Sequence, residues 1–229
     1  MKTLYTAVGR FERRERPGGL SYPIVVINRK EFAVDIQEMI LWTILNWRIL
    51  DIDTLSGMYY AKERKSGFLS RRSMDICLSR LLQRGLVAEG TGDTDEQALY
   101  NLLADLYIIP ISENPFLRLV SFVKLTVFHN IPLSFTKNIF ASDRRSEDEK
   151  KVIRLSRQTL MSTAEIIKCM EKKVLDLPSE KELLETLYAD EYTTSDNIAD
   201  IVRSFESCRP VLLSVSNLYL RCQIIFERI

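Results

Sequence analysis

The chain has 229 residues, 46% of them hydrophobic and 28% charged, with a formal net charge of +1. That length suits one large domain or two small ones with a real core. The composition excludes collagen-like, disordered and disulfide-scaffold classes. Charge is uneven along the chain: residues 1–90 carry 15 Lys+Arg against 10 Asp+Glu, and the remainder 17 against 21. A basic front facing a polyanion explains this asymmetry, and so does ordinary variation between two solvated surfaces.

The longest apolar runs, YIIPI and VLLSV, are too short to span a bilayer. Residues 1–19 lack the continuous apolar core of a secretory signal, so the cytoplasm is the expected compartment, with no membrane contact. Cys77, Cys169, Cys208 and Cys222 have no metal-pair spacing and are expected to be reduced, mostly buried thiols. The single histidine, His129, sits in FHNIP before a proline turn. It rules out multi-His metal sites within one chain and reads as structural. There is no G-x-S-x-G, P-loop, EF-hand loop or Cys-x-x-C. No enzyme activity, metal or cofactor is expected.

In chain order, TLYTAV and YPIVVI predict strands, because β-branched and aromatic residues dominate them. The charged run RFERRERPGG between them predicts a solvated loop. Asn28-Arg29-Lys30 turns the chain before a short strand from Glu31 to Val34. Asp35 with Glu38 forms a capping-box start to a helix. Its Ile36, Met39, Ile40, Thr43, Ile44 and Trp47 follow helical spacing, with Leu41, Trp42 and Leu45 on other sides, so burial on more than one face is expected. Core is the expected fate of both tryptophans. Asp51 or Asp53 caps a second helix with Leu55, Met58 and Tyr59 on one face. It ends in KERKSG, whose Arg64 and Lys65 suit a helix C-terminus. Ser70 is expected to cap a third helix over residues 70–83, with Leu69 and Met74 as a hydrophobic staple. Its inward stripe is Met74, Cys77, Leu78 and Leu81. Gly85 ends it, and Leu86-Val87-Ala88 starts an extended segment. Gly90-Thr91-Gly92 reads as a turn. Thr94-Asp95-Glu96-Gln97 begins another helix through Ala98, Leu99, Leu102 and Leu103, and LYIIPI is expected to be a strand that closes the small sheet.

This order of elements, with Leu81-Leu82-Gln83-Arg84-Gly85-Leu86-Val87 running from a helix into a strand, resembles the winged-helix branch of the helix-turn-helix proteins over about residues 31–111. The turn before the third helix is longer than the usual three or four residues, and a helix stands where a wing tip would be. The resemblance implies that Arg71, Arg72, Ser73, Ser79 and Arg80 lie in or beside the major groove. With Arg64, Lys65 and Ser70 these make the candidate DNA-binding set. Arginines at a helix's first turn gain most from an anionic partner, because the helix dipole there already favours anions.

Asn114-Pro115 marks the expected domain boundary, giving a β-hairpin plus winged-helix-like domain over 1–111 and a helical dimerisation or partner-binding domain over 112–229. Beyond it a helix is expected to about His129, with a strand reading competing. A charged exposed stretch follows over 142–151, with a Ser146/Glu149 capping box. One long helix is then expected from Lys150 to about Leu175. Ser179 with Glu182 starts a short helix, and Thr194 or Ser195 caps another. The terminal VLLSVSNLYLRCQIIFERI reads as a buried helix in preference to a strand. The expected class is mainly α with a small antiparallel β component, α+β. The expected function is a cytoplasmic, homodimeric transcription regulator binding double-stranded DNA, its effector unknown. The alternative is a non-enzymatic protein–protein adaptor on the same fold.

Overall fold

A computed structural model of the protein describes residues 1–15, 21–66, 72–111, 145–174, 179–190 and 192–229. It is an α+β chain of helices and small antiparallel sheets. Two compact units are present. One comprises Met1–Tyr107 with Phe226–Ile229, and the other Ile108–Ile225. No helix among the described residues is long and apolar enough to cross a membrane.

In the first unit, β1 (Lys2–Ala7) lies between β5 (Leu50–Asp51) and β6 (Val87–Gly92). It runs antiparallel to both, from Lys2 opposite Gly92 to Ala7 opposite Val87. A second sheet is a meander of β2 (Arg10–Glu15), β3 (Ser21–Ile27) and β4 (Lys30–Ala33). The charged run expected to form a loop is therefore largely strand β2. Its backbone pairs with the apolar β3 from Arg10 opposite Val26 to Glu15 opposite Ser21, while Arg13, Arg14 and Glu15 face water. Arg14 is balanced by Glu31 on β4, with Nε 2.9 Å from Oε1. Asn28 and Arg29, both at positive φ (45° and 63°), make the tight β3–β4 turn.

Helix α1 (Ile36–Leu45) starts at the expected capping box. Asp35 accepts from the backbone of Gln37 and Glu38, and Glu38 accepts from the Asp35 N–H. Its most buried positions are Glu38, Leu41, Trp42, Ile44 and Leu45, whereas Ile36 is exposed. The helix is apolar on most sides, so pattern alone could not orient it. The Trp42 indole donates to both the Val8 and Leu86 carbonyls, at 3.2 and 3.0 Å. Trp47 lies beyond the helix at φ 55° and is only half-buried, so only Trp42 is fully core.

Asp51 caps α2 (Ile52–Ser66), accepting from Thr54 N at 2.8 Å, and Leu55 and Tyr59 are buried. Helix α3 (Met74–Gln83) buries the expected stripe of Met74, Cys77, Leu78 and Leu81. It ends in a Schellman arrangement: Gly85 at φ +69° donates to Leu82 O, and Leu86 donates to Leu81 O, both at 2.9 Å.

Two expectations after α3 are overturned. Gly90-Thr91-Gly92 is the end of strand β6 and not a turn. Helix α4 (Asp95–Leu103), capped by Thr94, lies directly on it. A Cβ on Gly90 would fall 2.1 Å from Leu102 N and 2.5 Å from Ala98 O, so only glycine permits the approach. The strand expected to close the small sheet, β7 (Tyr107–Pro110), instead pairs within a third sheet between β8 (Met161–Ser162) and β9 (Ile224–Glu227). β1 occupies the place beside β6.

The second unit is built on α5 (Glu147–Gln158), α6 (Thr163–Glu171), α7 (Glu180–Leu187), α8 (Ile198–Val202) and α9 (Cys208–Leu220). The expected Ser146/Glu149 box opens α5, and Ser179 caps α7. The single long helix from Lys150 is broken at Thr159. There β8 intervenes and a further capping box, Ser162/Glu165, starts α6. Helix α8 begins after Asn197 with no side-chain cap, so neither Thr194 nor Ser195 has that role. The last apolar stretch is α9 followed by β9, not one helix. The core joins Val152, Ile153 and Leu155 of α5 to Ile166 and Ile167 of α6 and to Val211, Val215 and Leu218 of α9. The helix expected over residues 115–129, with His129, lies outside the described residues.

Candidate nucleic-acid interface

The candidate residues divide into three groups. Arg64 and Lys65 stand exposed near the C-terminal end of α2, and the Arg64 Nε donates to Tyr60 O one turn back at 3.3 Å. Ser70, Arg71 and the staple residue Leu69 lie outside the described residues. Arg72, Ser73, Ser79 and Arg80 are placed on or beside α3.

Ser73, and not Ser70, is the N-cap of α3: its hydroxyl accepts from Ile76 N at 3.4 Å. The helix thus begins three residues later than expected, and Arg72 precedes it. Arg72 is anchored where it stands. Its guanidinium pairs with Asp35, which raises its pKa further, and its carbonyl accepts from Gln37 Nε2 at 3.1 Å. Asp35 therefore both caps α1 and fixes the entry to α3.

One turn into α1 lies Glu38, a carboxylate only 1% exposed. It accepts from Arg80 Nε at 2.6 Å and from Arg84 Nη1 at 3.1 Å, and Arg72 Nη1 stands 3.9 Å away. Arg84 also donates to Ala33 O and lies 6.0 Å from the Phe32 ring centroid. Two carboxylates thus share three arginines. Burying Glu38 is tolerable only because these donors surround it. The cluster locks α3 onto α1, and it consumes much of the charge that the sequence assigned to DNA. Arg72 and Arg84 are mainly inward-held, while the Arg80 side chain remains half-exposed, at 50%.

Sequence reasoning missed Asp35, Glu38 and Arg84 as partners here. A signal existed for one of them: Glu38 takes the i position of the i, i+3, i+4, i+7 row that continues with Leu41, Trp42 and Leu45. A carboxylate on that row must find cations.

The outward face of α3 consists of Asp75, Ile76, Ser79, Arg80 and Gln83, all exposed. It opposes the buried stripe, so the helix is amphipathic with a mainly polar outer side on which Asp75 and Arg80 balance in charge. No protein-family model, curated protein or solved structure matches the chain.

Proposed function

We propose that the first unit binds duplex DNA, with α3 turned to the major groove in the manner of a winged helix, and that the protein is a homodimeric transcription regulator. One observation carries the reading. A helix anchored by Met74, Cys77, Leu78 and Leu81 presents Ser79, Arg80 and Gln83 outward, side chains able to hydrogen-bond base edges. Arg64 and Lys65 supply phosphate contacts, which give affinity without sequence choice. Arg72 has a positioning role, holding the start of α3 through Asp35.

Fluorescence anisotropy with labelled duplex tests this at several salt concentrations. Binding should weaken steeply with salt through counterion release, and Arg64→Ala with Lys65→Ala should lower the log–log slope by about 2. Ser79→Ala with Gln83→Ala should flatten preference among sequences. No duplex binding at low salt refutes the reading. Ile76 favours a second reading, docking of another protein: it is 50% exposed in the middle of the α3 face. Under that reading Ile76→Ala removes partner binding, and salt has little effect.

A further inference from the structure

The first unit contains a cleft of about 160 Å³ beside the C-terminal end of α3, walled by the β3–β4 turn, the Schellman end of α3 and the last residues of the chain. Three cations line it: Lys30, Arg84 and Arg228. No Asp or Glu side chain does. Glu227, the neighbour of Arg228, points its carboxylate at the backbone N–H of Asn28, at 2.7 Å, and burial pushes its pKa up.

We propose that this cleft is a binding site for a phosphoryl group. The three cations are not equivalent. Arg84 is a fixed wall, held by Glu38 and by Ala33 O, so no ordering cost attaches to it on binding. Lys30 and Arg228 are exposed, and among the described residues neither has an ion-pair or side-chain hydrogen-bond partner. An ammonium and a planar guanidinium fork together suit a tetrahedral dianion, the fork bonding two oxygens at once. Gly85 lies in the lining between Arg84 and Arg228. Its absent side chain leaves the Arg228 Nη1 3.9 Å from where a Cβ would sit, and its positive φ is what ends α3 there. Asn28, at the turn, also lines the cleft. The volume falls below the roughly 300–1,000 Å³ of pockets that enclose a drug-sized ligand. A phosphate group fits, while the remainder of any larger ligand stays outside. Its source is either a polynucleotide backbone or a free phosphorylated small molecule.

The test uses the full chain, ¹⁵N-labelled, titrated with inorganic phosphate against chloride at constant ionic strength. Saturable shifts are expected at the amides of Asn28, Phe32 and Gly85. Lys30→Ala with Arg228→Ala should weaken phosphate binding about tenfold or more, given the worth of charged hydrogen bonds. Both residues are exposed, and circular dichroism should show the fold intact. Duplex DNA titrated into the same double variant identifies the source. Loss of both phosphate and duplex affinity supports a backbone phosphate. Loss of phosphate affinity with duplex affinity unchanged supports a small phosphorylated ligand. Phosphate binding by a wild type that binds no duplex sustains the cleft and removes the proposed function alone. Absence of saturable phosphate shifts in the wild type overturns the inference, as does undiminished binding in the double variant.

Discussion

Glu38 holds the junction of α1 and α3 through Arg80 and Arg84. Replacing it with alanine removes the carboxylate that Arg80 and Arg84 reach at 2.6 and 3.1 Å, and the acceptor for the Asp35 N–H at 3.2 Å. Breaking a fully buried ion pair from one side costs about 3–5 kcal/mol. The arginines here are 26–50% exposed and can recover water, so we scale this to about 2–3 kcal/mol. Glu38→Gln keeps an oxygen for the cap but removes the charge, so it should lose about 1–2 kcal/mol, which is the alanine loss less the roughly 1 kcal/mol that the cap contributes. The assay follows from the sequence. Both tryptophans, Trp42 and Trp47, belong to the first unit, so indole fluorescence reports its unfolding. With a urea m-value of about 2 kcal/mol/M, the Ala variant's midpoint should fall by roughly 1–1.5 M. A Gln variant as stable as wild type would show that the arginines gain nothing from the carboxylate, and the anchoring role assigned to Glu38 would be lost.

Three further outcomes are expected. Gly90→Ala should destabilise the first unit by about 3 kcal/mol in the same fluorescence assay, since its methyl meets the backbone of α4 and no flexible side chain can yield; a change under about 0.5 kcal/mol contradicts the close packing. Among the thiols, the half-buried Cys222 should react first with a disulfide reagent. Cys169, whose thiol burial and the nearby Glu165 push up to about 12, should react only on unfolding, and labelling of the two at equal native rates refutes this. Asp190 accepts from the buried Lys168 at 2.7 Å and from Thr193, which holds its carboxyl well below the usual carboxylate range. A depressed folded pKa contributes stability above the unfolded value near 4 and loses it as pH falls below that. Hydrogen exchange in α6, corrected for intrinsic rates, should therefore accelerate below about pH 4 in wild type, and Asp190→Asn should be equally labile at neutral pH.

Helix starts were legible because capping is local. Asp35 with Glu38, Thr94, Ser146 with Glu149, and Ser179 all act where the sequence places them. Ser70 was expected to cap α3 and Ser73 does so instead, for a reason that is not local. What accompanies Ser73 is Arg72 bound to Asp35, a partner 37 positions away. The same distance hid the candidate site. Charge counting treats Arg72, Arg80 and Arg84 as available, whereas pairing with Asp35 and Glu38 is a product of α1 meeting α3. Strand β2 was read as a loop because its charges are solvated; the apolar partner that makes it a strand, β3, lies beyond a Pro-Gly-Gly interruption. Gly90 looked like a turn because glycine signals turns and close approaches alike, and only α4 distinguishes them.

The return of Phe226–Ile229 to the first unit has a consequence for synthesis. Gly9 N–H donates to Phe226 O at 2.8 Å, and Asn28 N–H to Glu227, so the β1–β2 link and the β3–β4 turn are both tied to residues 226 and 227. Between Tyr107 and Phe226 the ribosome must add 118 residues, which takes roughly 6–24 s at 5–20 residues per second. Throughout that interval the nascent first unit lacks its closing segment, while the intervening unit can finish first. Loss of residues 226–229 alone would leave the first unit, far away in sequence, as the one left incomplete.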